Sequence, residues 1–242
     1  MIELLGVGVR RGRSTWLLRN VCARVEVGEL AMVVSPRTDE RRALVDAVTG
    51  RRVPDEGRIW VNHAPLLRAT ARRLRGLCGV VELPGRLVGE RSVLWNALAP
   101  TAAARALGGL LHLPRRRDRN AAQAALERVG LRGRGQDPAA VLGVADRLRL
   151  LVARALARRP EHLVVGEPDT VLTRAELTIF LGLLRSIALS ERLGVIVSVA
   201  SALDVWRLVD RLLVVDGGRL IFAGHPDDVE AARDGRAGVL TT

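Results

Sequence analysis

The feature that most constrains the fold is the stretch from Leu30 to Gly50, LAMVVSPRTDERRALVDAVTG. Residues 31–34 are apolar throughout, as in a strand that is buried on both faces. After a polar turn, apolar residues recur at helical spacing up to Val48. A buried strand that turns into a helix is a building unit of α/β sheets, so we expect an α/β domain.

A strand, turn and helix in this order can carry a phosphate-binding loop of the Walker A pattern, G-x-x-x-x-G-K-[ST]. The glycines let backbone N–H groups close around the phosphates, the lysine reaches the terminal phosphates, and the hydroxyl ligates Mg²⁺. The flanking residues align this pattern with residues 35–42, where none of its required residues is present. Ser35 and Glu40 stand at the two glycines, Arg41 at the lysine and Arg42 at the hydroxyl.

The polar turn also carries negative charge where a phosphate would bind. Asp39 and Glu40 are expected in the first helical turn, where the helix macrodipole and free N–H groups attract an anion. We interpret Thr38 as an ordinary N-cap, which stabilises a helix by about 0.5–2 kcal/mol and implies no ligand. This interpretation is favoured over ATP bound in the usual way.

The basic residues also argue against a phosphate-binding loop of this pattern, because all 38 residues counted as lysine or arginine are arginines. A P-loop lysine is therefore excluded anywhere in the 242 residues. The net charge is +12, and arginines cluster at 72, 73 and 75, at 115–117 and 119, and at 158–159. These clusters could contact nucleic acid or anionic lipid, but codon bias spread over a solvated surface is the favoured alternative. The aromatic residues available for base stacking are two phenylalanines and four tryptophans, with no tyrosine, so no specific nucleic-acid partner is expected.

The cysteines and histidines do not have the spacing of a disulfide or metal site. Cys22 and Cys78 are far apart and lie in apolar surroundings, which predicts core positions in a reducing compartment. The histidines are predicted at turns or on the surface: His63, His112, His162 and His225. The sequence lacks an apolar run of about eighteen residues and a signal-peptide pattern, so we expect a cytoplasmic chain.

Several further segments follow the loop in a characteristic order. Residues 50–59 read GRRVPDEGRI, residues 153–160 read ARALARRP, and residues 162–168 read HLVVGEP. In order and spacing they resemble the ATP-binding subunits of ABC transporters, over nearly the whole chain from Ile2 to about Val229. The segments LPRRRDRN at 113–120 and ALERVGL at 125–131 look particularly like the phosphonate-importer branch of that family.

The resemblance implies a fold class: α/β, the P-loop NTPase (ABC ATPase) fold. It has a RecA-like core, an N-terminal antiparallel β subdomain and an inserted helical subdomain. A single domain would span 1–229, with 1–84 and 151–225 in the core and β subdomain, 85–150 in the helical subdomain, and 230–242 as a tail. The expected opening strands are 2–7 and 20–27, joined by an arginine-rich turn at 10–13, and the expected helices include 92–98 and 121–131.

The resemblance also places the family's other motifs on residues that depart from them. The Q-loop glutamine is Glu82, the Walker B aspartate linked to Mg²⁺ is Gly166, and the switch histidine is Ala200. The general-base glutamate is kept, as Glu167. Glu82 could still ligate a cation or simply end a buried strand, and Glu167 could be a catalyst or a structural remnant. The LSGGQ signature corresponds to Leu142, Gly143, Val144, Ala145 and Asp146. The aromatic residue that stacks on adenine in the family corresponds to Arg11.

Three functions are consistent with these motifs. The leading hypothesis is a degenerate importer subunit at the inner face of the cell membrane, paired with a permease and with an intact paralogue or a second copy. It would bind ATP and Mg²⁺ weakly, hold no resident metal, and not hydrolyse ATP alone. The second is an ATPase that uses Arg41 and Glu82 as substitutes, and the third is a scaffold or polyanion-binding module outside transport.

Overall fold

The computed structural model describes residues 1–12, 14–67, 70–98, 116–201 and 205–229. The chain divides into two compact units, one formed by Met1–Glu82 with Glu161–Thr242 and the other by Leu83–Pro160. The second unit extends beyond the boundary suggested at residue 150, because the helix that crosses this position belongs wholly to it. The suggested tail at 230–242 lies outside the described residues.

A four-stranded antiparallel sheet opens the first unit. Its strands are β1 (Ile2–Arg11), β2 (Thr15–Val25), β4 (Glu56–Val61) and β5 (Ala64–Pro65), in the order β2-β1-β4-β5. The alternation of buried residues along β1 breaks near Gly6, which adopts φ +62 where the register with β2 shifts. The predicted turn at 10–13 is wrong, because Arg10 and Arg11 still pair across the hairpin with Trp16 and Thr15.

A second, six-stranded sheet runs through the core of the first unit. In sheet order its strands are β10 (Arg219–Gly224), β9 (Arg211–Asp216), β3 (Leu30–Val34), β8 (Gly194–Val199), β7 (His162–Gly166) and β6 (Cys78–Val81). All neighbours are parallel except β9 and β10. Every residue of the central strands β3 and β8 is buried, as is typical of parallel sheets.

The helices of the described residues divide between the units. The helix expected at 121–131 begins earlier, at Arg116, and ends at Arg128. It stops there because Gly130 adopts φ +79, a left-handed conformation that glycine accepts without steric cost. The first unit contains α1 (Thr38–Val48), α2 (Ala71–Leu77) and α6 (Arg174–Glu191), and the second contains α3 (Val93–Leu98), α4 (Arg116–Arg128) and α5 (Val144–Leu156).

Two residues differ from their predicted burial. Cys22 is exposed on β2, where its sulfur accepts a hydrogen bond from the Gly6 N–H at 3.2 Å, so its predicted core position is wrong. His162 is fully buried in β7 and not at a turn or on the surface. Neighbouring strand residues point to opposite faces, so an apolar neighbourhood in sequence does not decide which residue is buried.

The remaining cysteine and histidines lie as follows. Cys78, also predicted in the core, is only half-buried, and burial raises the pKa of its thiol to about 11. His63 lies in the turn between β4 and β5, and His225 follows β10. His112 lies outside the described residues. Within the described part of the chain, no helix combines the length and apolar character needed to cross a bilayer.

Candidate functional site

The candidate site lies at the carboxyl ends of β3 and β7, which flank β8 in the sheet. The loop after β3 is tied to β8 by the Ser35 N–H, which donates to the Val199 carbonyl at 3.2 Å. The residue after β7 is tied to the same strand, since the Glu167 N–H donates to the Ser198 carbonyl at 2.8 Å. Carboxyl ends of parallel strands meet at one edge of a sheet, where open α/β folds bind their ligands.

Arg41, at the lysine position, does not point a free guanidinium into this edge. Its Nε and Nη2 atoms donate to Oε1 of Glu167 at 3.0 and 2.8 Å. Its Nη1 donates to the Ser35 carbonyl at 2.5 Å, and Nη2 also donates to the Thr38 hydroxyl at 3.1 Å. The Arg41 side chain is only 4% exposed, so its charge is neutralised within the chain.

Glu40, at the position of the second glycine, is also turned inward. Its carboxylate is 3% exposed and accepts hydrogen bonds from the Ser35 hydroxyl at 2.7 Å and from the Gly218 N–H at 2.9 Å. Gly218 belongs to the turn between β9 and β10, so Glu40 links the loop to that turn. At the start of α1 it is the Asp39 carboxylate that accepts a hydrogen bond from the backbone, from the Glu40 N–H to Oδ1 at 3.0 Å.

The predicted N-cap at Thr38 is wrong. Thr38 is the first helical residue of α1, and the N-cap is Arg37, which is extended and makes no capping bond through its side chain. The Thr38 hydroxyl accepts from Arg41 and is thereby engaged with the loop. The requirements of the buried arginine therefore override the usual capping preference of threonine at this helix.

Glu167 directly follows β7 and has an unusual backbone conformation. Its φ and ψ are 55° and 43°, in the left-handed region that residues other than glycine rarely adopt. The residue before it, Gly166, has room for a side chain, since an added Cβ would lie 3.7 Å from the Val81 carbonyl oxygen and 3.9 Å from Ser198 Oγ. Among the described residues, that Ser198 hydroxyl is buried without a hydrogen-bond partner.

Asp169 and Ala200 complete this end of the sheet. The Ala200 N–H, at the switch position, donates to Oδ2 of Asp169 at 2.7 Å. Burial raises the pKa of Asp169, while this hydrogen bond and the nearby Arg41 act in the opposite direction. Its Oδ1 is buried and has no hydrogen-bond partner within the described residues.

Glu82, at the Q-loop position, is paired with an arginine. Its carboxylate accepts a hydrogen bond from Nη1 of Arg51, which also lies 3.8 Å from Oδ1 of Asp46. The carboxylate is thus neutralised by a cationic side chain of the connection after α1. In the described parts of the chain, no cluster of three or more histidine, cysteine or acidic residues could hold a metal ion.

The signature position lies in the second unit, at the start of α5. Leu142 is buried, Gly143 is the N-cap, and Val144, which begins the helix, is 52% exposed. Ala145 follows it. Asp146 accepts from Arg134 Nη1 at 3.0 Å and from Arg149 Nη1 at 3.3 Å. The first turn of this helix therefore carries an anion already paired with two cations of its own unit.

An open cavity of about 460 Å³ lies beside α1 in the first unit. Arg11, at the aromatic position, pairs across it with Asp39 at 2.6 Å. Trp16 is stacked by Arg10, whose guanidinium lies 4.0 Å from the ring centroid. The lining therefore combines positive and negative charge without an aromatic face: Arg11, Leu17, Thr38, Asp39, Arg42, Ala43, Asp46 and Arg52.

The structure brings together residues that the motif alignment placed separately. Ser35, Thr38, Arg41 and Glu167 form one hydrogen-bonded cluster, while Glu82 and the signature residues lie outside it. The alignment did not anticipate Gly218 or Arg51 as partners. For the central pair, the one signal in the sequence is the opposite charge of Arg41 and Glu167.

Comparisons with known proteins agree with this fold. No family model matches the chain. The chain is 30% identical over 237 residues to the methionine import ATP-binding protein MetN of Thermobifida fusca, covering 94% of this chain and 70% of the relative. It is 27% identical over 215 residues to the phosphonates import ATP-binding protein PhnC of Thiobacillus denitrificans, covering 88% of this chain and 83% of that protein.

Solved structures show the same architecture. One neighbour is cbiO1 of Clostridium perfringens, part of an ABC transporter complex, with a TM-score of 0.83 at 21% identity, covering 97% of this chain and 92% of that one. Another is the ADP conformation of an ATP-binding cassette of an ABC transporter, with a TM-score of 0.82 at 16% identity, covering 94% and 92%. At such low identity these two likenesses establish the fold alone.

Proposed function

The chain belongs to the family of ABC-transporter ATP-binding subunits, and from that premise we propose that it serves an importer without hydrolysing ATP itself. The importer class follows its relatives, which are named as phosphonates and methionine import ATP-binding proteins. The lack of hydrolysis is argued from the residues of the site. Fold alone does not establish an activity, so those residues decide the proposal.

The observation that carries the proposal is the ion pair between Arg41 and Glu167. Arg41 directs its guanidinium to Glu167 and to its own loop. A general base acts only within hydrogen-bond reach of the proton that it removes. Because the Glu167 carboxylate is bound to a cation, it is poorly placed to accept a proton from an attacking water.

ATP and Mg²⁺ do not fit the described residues as they are arranged. A phosphate loop needs open backbone N–H groups and an available cation, whereas Glu40 fills a glycine position and Arg41 is paired. Mg²⁺ needs oxygen ligands. Gly166 has no side-chain oxygen to offer, and the Glu82 carboxylate is paired with Arg51. We therefore expect weak ATP binding to which Mg²⁺ adds little.

The partners proposed for the chain are those of a transporter subunit. We propose that it lies at the cytoplasmic face of the membrane with a permease and an intact ATP-binding paralogue. A pair of identical copies is less favourable, because each would meet Val144 and Asp146 where the family presents a serine and glycines to the phosphate. The two substitutes that residual ATPase activity would require, Arg41 and Glu82, are both paired already.

ATP turnover by the purified chain tests the proposal. We expect the parent and a Glu167→Gln variant to show the same background rate, because removing a general base matters only where chemistry occurs. A Glu127→Gln variant, which alters an exposed carboxylate of α4, controls for contaminating ATPase. A hundredfold loss of turnover in Glu167→Gln alone would overturn the proposal.

A further inference from the structure

We infer that Glu167 acts as an internal anion that closes an anion site centred on Arg41. The inference rests on the proposed function, because it explains how the chain holds its loop without nucleotide. The anion site and its occupant come from the same chain, so the contact is autoinhibitory. Removing the carboxylate should then expose a site for an external anion.

The first step concerns the need of Arg41 for an anion. A guanidinium is always charged, and its burial is costly unless an anion is paired with it. Of the three groups that accept its hydrogen bonds, the Ser35 carbonyl and the Thr38 hydroxyl are neutral. Glu167 alone among these three supplies negative charge, through two bonds at 2.8 and 3.0 Å.

The second step concerns the other acids near the cluster. Glu40 is committed to Ser35 and Gly218, and Asp39 to Arg11 and the Glu40 N–H. Asp169 is close enough to Arg41 to interact electrostatically, but its hydrogen bond comes from the Ala200 N–H. Within the described residues, none of these acids accepts a hydrogen bond from Arg41, so the loss of Glu167 would leave its guanidinium without a hydrogen-bonded anion.

The third step concerns access from solvent. The Glu167 side chain is 17% exposed, whereas that of Arg41 is 4% exposed. Glu167 is therefore the member of the pair that reaches water. Shortening it to alanine removes the charge and opens a path by which a small oxyanion could reach the Arg41 guanidinium, which suits phosphate well.

The experiment titrates inorganic phosphate into Glu167→Ala and into the parent by calorimetry and thermal shift, at constant ionic strength. We expect the variant to bind phosphate at least tenfold more tightly than the parent. Glu82→Ala is the matched control, because it removes a carboxylate from an arginine that is 36% exposed and should gain no such affinity. The double variant Arg41→Met, Glu167→Ala should lose the gain.

Equal phosphate affinity in the parent and Glu167→Ala would overturn the inference, as would a gain that survives in the double variant. If Glu167→Ala does not fold, the isosteric Glu167→Gln takes its place under the same criteria. The proposed function fails on a different result, namely ATP turnover by the parent that depends on Glu167. A missing phosphate gain would leave that proposal standing.

Discussion

At the residue scale, the Arg41–Glu167 pair joins positions 126 residues apart through atoms 2.8 Å from each other. Breaking a buried pair by removing one partner costs roughly 3–5 kcal/mol, because the other charge stays buried. We expect Arg41→Met to lower the free energy of unfolding by about 3 kcal/mol, near the lower limit because Glu167 keeps some exposure.

A double-mutant cycle measures this coupling. The variant that combines Arg41→Met with Glu167→Gln should be more stable than the sum of the single effects implies, with an interaction energy of about 1–3 kcal/mol from denaturant unfolding. Additive effects would mean that the two side chains do not share a pair in solution.

His162 predicts a pH dependence of stability. Burial, and secondarily the positive N-terminus, lowers its pKa from 6.5 to about 4. Between these values the unfolded chain binds the proton and the folded chain does not, so the unfolding free energy falls as pH drops from 6.5 towards 4. At about 1.4 kcal/mol per pH unit, the loss is roughly 3 kcal/mol.

The variant His162→Leu isolates this contribution, because leucine does not titrate. Urea unfolding of the parent and the variant at pH 7 and at pH 4.5 should show a clearly smaller loss of stability in the variant. The same loss in both proteins would place the titrating group elsewhere.

Residue positions were predictable in this site, but their contacts were not. The strand, turn and helix that carry Arg41 were predictable, because their apolar pattern is encoded locally. The direction of its side chain depends on Glu167, at the end of another strand, and local pattern carries no information about that approach. The prediction of Thr38 as the N-cap was wrong for the same reason, because its hydroxyl accepts a hydrogen bond from Arg41.

At the element scale, α6 begins with a capping box that α1 lacks. The Thr173 side chain accepts from the Glu176 N–H, and the Glu176 carboxylate accepts from the Thr173 N–H at 2.8 Å. We expect Thr173→Ala to destabilise the chain by about 1 kcal/mol in denaturant unfolding. Arg37→Ala at the N-cap of α1 is the matched control and should change little, since Arg37 makes no capping bond and its side chain is 65% exposed, with only a long contact of 3.8 Å to Glu40. Equal losses in both variants would contradict the assignment of the two caps.

Buried elements were predictable more closely than exposed ones. The apolar run expected as a strand at 31–34 is present as the buried strand Leu30–Val34, and the helix expected after it is present as Thr38–Val48. Continuous apolar runs bounded by turn residues explain this agreement. β1 extends to Arg11 because pairing with β2 continues beyond the apolar residues, where side-chain pattern gives no signal.

At the scale of the whole molecule, the fold is that of an ABC cassette, while the charged groups at its ligand edge bind one another. The carboxylates of Glu40 and Glu167 at this edge have partners within the first unit. The Asp146 carboxylate, at the start of α5, has its partners within the second unit. The order and spacing of the motifs follow the fold, which is why they predicted the family. Hydrolysis depends on individual side chains at the site, so the family alone does not predict it.

The most direct test of this account is the melting temperature of the parent chain with and without Mg·ATP at about 1 mM. A ligand at a hundred times its Kd stabilises by about 2.7 kcal/mol, or about 5–10 °C for a chain of this size. The positive control is a chain in which the loop is rebuilt by Ser35→Gly, Thr38→Gly, Glu40→Gly, Arg41→Lys and Arg42→Ser. We predict almost no shift in the parent and a clear shift in the rebuilt chain. A Mg²⁺-dependent shift of several degrees in the parent, or a folded rebuilt chain with no gain, would contradict the account.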